Sequence, residues 1–186
     1  MNKILDKTVL DSEIIQEVES LKSNDPKFRI NLIRYNNSWS FLMVAVLMNR
    51  KELVEYLLLS VHNINVNYID KHGEIVLHFC RDNSILKLLL DCRDLDVNIQ
   101  DNFGESGLHY LCFWGHESYV KELLLDARVN TSIRNNMGKT ARDKALERGY
   151  SDIAKILRNS RYTTLLLIPN ASLCRDIARM IIEEYI

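Results

Sequence analysis

The chain has 186 residues, of which 47% are hydrophobic and 26% are charged, and its 24 Lys and Arg nearly balance its 25 Asp and Glu to give a formal net charge of −1. This composition excludes a strongly basic nucleic-acid-binding protein, a disordered acidic chain and a collagen-like chain. Six Gly and two Pro are too few for a loop-rich all-β fold, so the composition favours helices.

The sequence predicts neither a membrane segment nor a secretory signal. The longest uninterrupted apolar run, Phe41 to Met48, is far shorter than the roughly 20 residues that a membrane-spanning helix requires. Charged residues interrupt the first seven positions, so a signal peptide is not expected. We therefore expect a cytoplasmic or nuclear protein. Its widely spaced cysteines form no C-x-x-C pair and are predicted to be reduced thiols rather than zinc ligands: Cys80, Cys92, Cys112 and Cys174.

The first predicted element in chain order is a helical segment within 3–22. Apolar residues recur there at helical spacing and are interrupted at Asp11-Ser12. This pair is a candidate N-cap, with Glu13 in the first turn of the helix that follows. Asn24-Asp25-Pro26 is expected to end this helix. We predict that residues 1–34 form a helical cap on the structure that follows.

A short segment then recurs along the chain. Asp-Lys-His-Gly-Glu at 70–74 returns as Asp-Asn-Phe-Gly-Glu at 101–105 and as Asn-Asn-Met-Gly-Lys at 135–139. Each copy predicts a tight turn, because the Asp or Asn side chain accepts hydrogen bonds from the backbone ahead of it and Gly supplies a positive φ. Internal repetition at this period is typical of stacked repeat proteins.

Each turn is followed by two predicted helices. In the copy at 101–134, Leu108-His109 opens a first helix, a break follows at Gly115-His116, and Val120 with Leu123 to Leu125 gives the apolar face of a second helix. One such helical hairpin cannot bury both of its faces, whereas stacked hairpins can. The pattern therefore predicts a solenoid.

These motifs resemble the ankyrin repeat, whose signature is Asp-x-x-Gly-x-Thr-Pro-Leu-His, an inter-helix Gly-His, a leucine-rich second helix and a closing Val-Asn. The resemblance implies an all-α ankyrin-repeat solenoid of about four helix-turn-helix units with terminal capping helices. We number the units repeat 1 (35–69, divergent), repeat 2 (70–100, shortened), repeat 3 (101–134) and repeat 4 (135–158). About three residues are missing between His78 and Ile85, so the first helix of repeat 2 is predicted to be short or distorted. Residues 159–186 are predicted to form a C-terminal capping helix.

The sequence carries no catalytic constellation, so we expect no enzyme activity, no cofactor and no metal site. Of its five scattered histidines, His78, His109 and His116 stand at repeat-defined positions and are expected to bond to the backbone of neighbouring turns. His109 and Cys112 could be drawn as a nucleophile pair, but Cys112 is expected to be a small buried packing residue.

The resemblance implies a protein-binding module. Ankyrin contacts come from the turn and from the end of the first helix. The positions that match and that we take as candidate partner contacts are Trp39, Leu47, Met48, His72, Phe103, Glu105, Phe113, Trp114, Met137 and Arg148. Several are large and apolar, which favours a concave binding groove centred on Phe103, Phe113 and Trp114. Two alternatives stay open: terminal helices cover these residues, or repeat 2 bends the stack so that Phe113 and Trp114 join the core.

The expected partner is another protein, with no nucleic acid and no membrane. The short, divergent repeats resemble in architecture the viral or parasite ankyrin proteins that mimic host regulators. Leu173-Cys174-Arg175 and Ile177 are similar to the SOCS box, which recruits elongin and a cullin ubiquitin ligase, although Asn170 stands where that motif has leucine. An adaptor for a ubiquitin ligase and a homodimeric scaffold are therefore the alternative functions.

Overall fold

The computed structural model describes residues 2–6, 8–24, 30–32, 34–35, 38–61 and 63–166. Helices dominate these ranges, which confirms the predicted all-α class. One antiparallel hairpin joins β1 (Arg34–Tyr35) to β2 (Trp39–Ser40), and short 3-10 turns lie at Asn2–Leu5 and Ile30–Leu32. The helices, numbered α1 to α9, are Asp11–Asn24, Phe41–Leu47, Lys51–Ser60, Val76–Phe79, Asn83–Leu90, Gly107–Phe113, Glu117–Leu123, Ala141–Glu147 and Ser151–Leu166.

The repeated Asp-x-x-Gly segments form the predicted turns. In repeat 2 the Asp70 carboxylate accepts hydrogen bonds from the backbone N–H groups of His72 (2.8 Å) and Glu74 (2.9 Å). Asp101 and Asn135 accept the equivalent pairs of bonds in repeats 3 and 4. All three of these side chains are buried, so the polar group that shapes each turn is satisfied by the turn itself.

Repeat 2 has the shortened first helix that its missing residues predict. Helix α4 is 4 residues long, whereas α2, α6 and α8 in the other three repeats each have 7. It still buries Val76, Leu77 and His78. Asp82 is the N-cap of the second helix, α5, because its carboxylate accepts hydrogen bonds from the N–H groups of Ser84 and Ile85.

Two histidines connect the first helices of repeats 2 and 3 to the turns that follow, as predicted. His78 Nδ1 accepts the backbone N–H of Ile75 (3.0 Å), which leaves the proton on Nε2 to be donated to the carbonyl oxygen of Glu105 (3.0 Å). His109 makes the same link from repeat 3 to repeat 4 through Nε2 and the carbonyl oxygen of Lys139 (3.1 Å). Both imidazoles are buried and serve the backbone.

The chain divides into two compact units, Met1–Gly107 and Leu108–Ile186. In the first, which we call unit 1, fully buried leucines and isoleucines fill the space between the second helices of repeats 1 and 2: Leu53, Leu57, Ile85 and Leu89. In the second, unit 2, helix α9 packs against α7 and α8. The buried side chains there are Val120, Leu123, Ala145, Ile153, Ala154 and Leu157. Each unit therefore has its own apolar core.

The N-terminal segment ends with an asparagine side chain that bonds to the backbone of the next unit, as the asparagine at the end of repeat 1 does. The side chain of Asn67, in the closing Val-Asn of repeat 1, donates to the carbonyl oxygen of Asp94 and accepts the N–H of Asp96 (2.8 Å). Asn31 makes the equivalent bonds to Asn63 and Asn65 in repeat 1. The segment before repeat 1 thus joins the stack of unit 1 through the bond pattern that joins successive repeats.

Among the described residues the cysteines at positions 80, 92 and 112 form no disulfide bond, and Cys174 lies outside these residues. Burial raises the pKa of the Cys112 thiol to about 12 and that of Cys80 to about 11. Such thiols stay protonated at neutral pH and are poor nucleophiles. This agrees with the predicted packing role of Cys112.

Candidate protein-binding surface

In unit 1, Trp39 is held by contacts within the fold. Its indole nitrogen donates to the carboxylate of Asp70 (3.1 Å), and its ring meets the Phe79 ring edge-on with 5.7 Å between the centroids. The side chain is half-buried and connects repeat 1 to repeat 2. Only its remaining exposed edge is available to a partner.

The other candidate contacts of unit 1 differ in exposure. Leu47 and Met48 are half-buried at the end of α2, whereas His72 is exposed in the turn of repeat 2. Phe103 is 69% exposed in the turn of repeat 3, where the preceding Asp101 carboxylate fixes the backbone. Glu105, two residues further along, is half-buried. Phe103 is thus a large apolar side chain presented by a rigid turn.

In unit 2 the end of α6 presents two adjacent aromatic rings. Phe113 is half-buried and Trp114 is 50% exposed. Their rings meet edge-on, with 5.1 Å between the centroids and an interplanar angle of 88°. An edge-to-face pair of this kind contributes stabilising free energy in addition to that from the apolar area it buries. The Trp114 ring is therefore held in place while half of it faces solvent.

Two cations from α8 and its C-cap cover the Phe113 ring. The ammonium group of Lys144 lies 4.8 Å from the ring centroid, and the guanidinium carbon of Arg148 lies 4.5 Å from it. Both distances are within the range of cation–π attraction. We call Phe113, Trp114, Lys144 and Arg148 the aromatic patch.

The neighbouring turn of repeat 4 is tied to the same helix. Lys139, which follows the turn glycine, forms an ion pair with Glu147 at the end of α8. Met137, at the tip of this turn, is exposed. Lys139 is therefore engaged by Glu147, whereas Lys144 and Arg148 lie over the Phe113 ring.

The structure thus joins three of the predicted contact residues, Phe113, Trp114 and Arg148, and adds a fourth. Sequence reasoning missed Lys144, which is only 8% exposed. No signal in the sequence marks it, since a lysine in a short helix is expected to face solvent. Phe103 belongs to unit 1. Neither Phe113 nor Trp114 is a fully buried core residue, so the alternative that places them in the core is wrong.

Several predictions fall outside the described residues. They are the SOCS-like segment at 170–179 and most of the predicted C-terminal capping helix, since the described part of the chain ends at residue 166. Helix α9 continues past the predicted end of repeat 4 at 158 and reaches Leu166.

Within the described ranges, no group of three or more His, Cys, Asp or Glu side chains is placed to hold a metal ion. Among the helices that the structure describes, none has both the length and the apolar character needed to cross a lipid bilayer.

Comparison with known proteins agrees with the repeat geometry. A search of curated proteins finds no match to this chain. The family model described as ankyrin repeats (3 copies) matches residues 11–101 and 77–165. The match begins at the first residue of α1, so it includes the helix that we assigned to an N-terminal cap, and together the two matches cover most of the chain. With the Asp-x-x-Gly turns, the paired helices and the bridging histidines, this match shows that the chain belongs to the ankyrin-repeat family and has its all-α solenoid fold.

Proposed function

We propose that this protein binds a partner protein through the aromatic patch of unit 2. The observation that carries the proposal is that Trp114 is half exposed and yet held edge-on against Phe113. A tryptophan that is already ordered loses little conformational entropy when a partner covers it. Tryptophan and arginine are also the residues most enriched among the energetically dominant positions of interfaces.

The family supports an interaction role. Ankyrin repeats generally mediate protein–protein interaction, and the family is typically non-catalytic. The mechanism we propose is occupancy: the bound partner is tethered, or is kept from another ligand.

The patch favours a partner of particular chemistry. Lys144 and Arg148 lie over the Phe113 ring, so the exposed half of Trp114 provides the apolar contact area. The guanidinium group of Arg148, which is exposed beside Phe113, attracts carboxylates. We therefore expect an apolar side chain flanked by Asp or Glu on the partner surface.

Affinity capture with matched variants tests the proposal. We expect Trp114→Ala to weaken binding of the captured partner at least about tenfold, since truncating an interface tryptophan removes a large desolvated contact. The control is Leu125→Ala, which removes a side chain that is 79% exposed and lies outside the patch. Quantitative mass spectrometry should recover the partner with wild type and Leu125→Ala and lose it with Trp114→Ala.

The two variants must have the melting temperature of the wild type, so that a loss of binding reports the surface and not the fold. Equal capture by Trp114→Ala and wild type would contradict the proposal. Light scattering over a range of protein concentrations separates the homodimer alternative, because a dimer formed through this patch would dissociate in Trp114→Ala.

A further inference from the structure

Tyr150 lies against the residue that directly follows Trp114. A Cβ at Gly115 would be 2.6 Å from Cζ of Tyr150, the ring carbon that carries the hydroxyl, and 2.7 Å from Cε1. These distances are shorter than any ordinary contact between non-bonded carbon atoms, so a side chain at position 115 would displace the ring. The glycine therefore lets the hydroxyl end of Tyr150 lie beside the aromatic patch.

The connection between α8 and α9 places two polar side chains on the end of α6. A backbone hydrogen bond from the N–H of Tyr150 to α8 (2.8 Å) holds this connection in place. From it, the guanidinium group of Arg148 lies over the Phe113 ring, and the ring of Tyr150 lies over Gly115. Trp114 is thus the half-exposed residue between two neighbours that are both covered from this connection.

The Tyr150 hydroxyl is not required for this packing. Tyr150 is half-buried, and among the residues that the structure describes its hydroxyl makes no hydrogen bond. A phenylalanine would cover Gly115 with the same ring and would bring no polar group to the surface. Because a tyrosine hydroxyl usually has a hydrogen-bond partner once it is buried, a protein that covers Trp114 is expected to supply an acceptor for it.

We propose that Tyr150 is a specificity-determining contact residue, whose hydroxyl donates a hydrogen bond to a carboxylate of the partner protein. This role rests on the proposed function, because it adds a contact to the surface around Trp114. A site that is built to bond a polar group discriminates strongly against a ligand without that group. Tyr150 therefore selects among apolar side chains by what accompanies them.

The charge of this surface favours a carboxylate as the acceptor. Arg148 is exposed beside Phe113 and attracts negative charge. Residues 108–186, which form unit 2, carry 12 Lys and Arg against 9 Asp and Glu. A hydrogen bond to an ionised acceptor is also roughly twice as strong as one between neutral groups. The partner that fits presents an apolar residue together with two acidic residues, one for Arg148 and one for Tyr150.

Peptides that bind the full-length chain are the probe for this contact. Short random peptides displayed on phage are selected on the wild type and counter-selected on Trp114→Ala. The selected sequences are synthesised with a fluorescent label, and their Kd values are measured by fluorescence polarisation. We expect them to combine an apolar residue with more than one Asp or Glu. Tyr150→Phe should weaken their binding at least about tenfold, because it leaves a bound carboxylate without its donor.

Matched variants separate the hydroxyl from the fold. Tyr150→Phe keeps the ring over Gly115, so its melting temperature should equal that of the wild type. Tyr68→Phe removes a hydroxyl from a half-buried tyrosine of unit 1 and should leave peptide binding unchanged. In a double-mutant cycle, alanine is placed at each acidic position of the peptide in turn. For one position, the effect of Tyr150→Phe should then disappear.

Two results would overturn the role of Tyr150 while the proposed function stands. The first is a set of peptides that depend on Trp114 and bind Tyr150→Phe as tightly as wild type. The second is a loss of binding in Tyr150→Phe that is the same whichever acidic residue of the peptide is removed, or that comes with a lower melting temperature. Failure to select any peptide that depends on Trp114 would instead overturn the proposed function and the role of Tyr150 together.

Discussion

Replacing Arg50 with alanine is expected to lower the free energy of unfolding by about 3 to 5 kcal/mol, because it breaks a buried ion pair by removing one partner. Arg50 is 8% exposed. Its Nη1 donates to the carbonyl oxygen of Val9 and to Asp11 (3.1 Å), and its Nη2 donates to the carbonyl oxygen of Asp6. Alanine at position 50 would leave these three acceptors, whose bonds to Arg50 are partly buried, without their donor.

The Arg50→Ala substitution should also weaken the N-terminal cap of α3. Arg50 stands at the N-cap of α3 and makes no side-chain cap there. The cap comes instead from Asp11 at the start of α1, whose second carboxylate oxygen accepts the N–H of Leu53 (3.2 Å). Arg50 therefore positions the carboxylate that caps its own helix, and removing it weakens the attachment of α1 to α3.

Chemical denaturation monitored by circular dichroism measures this effect. The control is Lys51→Ala, at the exposed position next to Arg50, which should change stability by less than about 0.5 kcal/mol. Equal stability of Arg50→Ala and Lys51→Ala would contradict the account of the N-terminal segment.

Replacing Gly73 with alanine is expected to lower the free energy of unfolding by about 3 kcal/mol, for two reasons that add together. Gly73 has φ of +82°, a backbone conformation that costs an L-residue roughly 1 to 2 kcal/mol. A Cβ at this position would also lie 2.7 Å from the backbone nitrogen of Asn102 and 2.9 Å from the carbonyl carbon of Asp101. These are backbone atoms, and Asn102 N–H is already bonded to the carbonyl oxygen of His72 (2.9 Å), so the turn of repeat 3 cannot move aside without breaking that bond.

Gly138 is the matched control for this substitution. It occupies the equivalent turn position in repeat 4 with φ of +75°, and a Cβ there would meet no atom within 4 Å. Gly138→Ala should therefore lower the free energy of unfolding only through the unfavourable φ, by about 1 kcal/mol. This figure includes the partial compensation that alanine brings by lowering the conformational entropy of the unfolded chain. The difference in free energy of unfolding between the two variants measures the close stacking of successive turns. Equal losses would show that the turns of repeats 2 and 3 are not in contact.

Much of the fold could be predicted from the sequence because its determinants are local. The Asp-x-x-Gly turn is specified by two residues that act on their own backbone, and the short α4 follows from a deletion that can be counted in the sequence. The roles of His78 and His109 followed from their repeat positions. A further signal in the sequence lies at Ile30-Asn31, which repeats the Val66-Asn67 and Val97-Asn98 pairs and indicates that the stack begins before residue 35.

The candidate site was predictable only in part. The repeat pattern marked Phe113, Trp114 and Arg148 as surface positions, but not that Lys144 and Arg148 converge on the Phe113 ring. Contacts of this kind depend on how two helices pack, which residue spacing along one helix does not specify. The same holds for Arg50, whose three acceptors are roughly 40 residues away in the sequence.

Photo-crosslinking at position 114 shows directly whether a partner protein covers the aromatic patch. The substitution Trp114→p-benzoylphenylalanine keeps an aromatic side chain in the patch and forms a covalent bond only with a neighbour in contact, and Leu125→p-benzoylphenylalanine serves as the control outside the patch. We expect crosslinks to a foreign protein from position 114 and none from position 125, with the attached peptides rich in Asp and Glu. Crosslinks from position 125 alone, or from position 114 only to a second copy of this chain, would contradict this expectation.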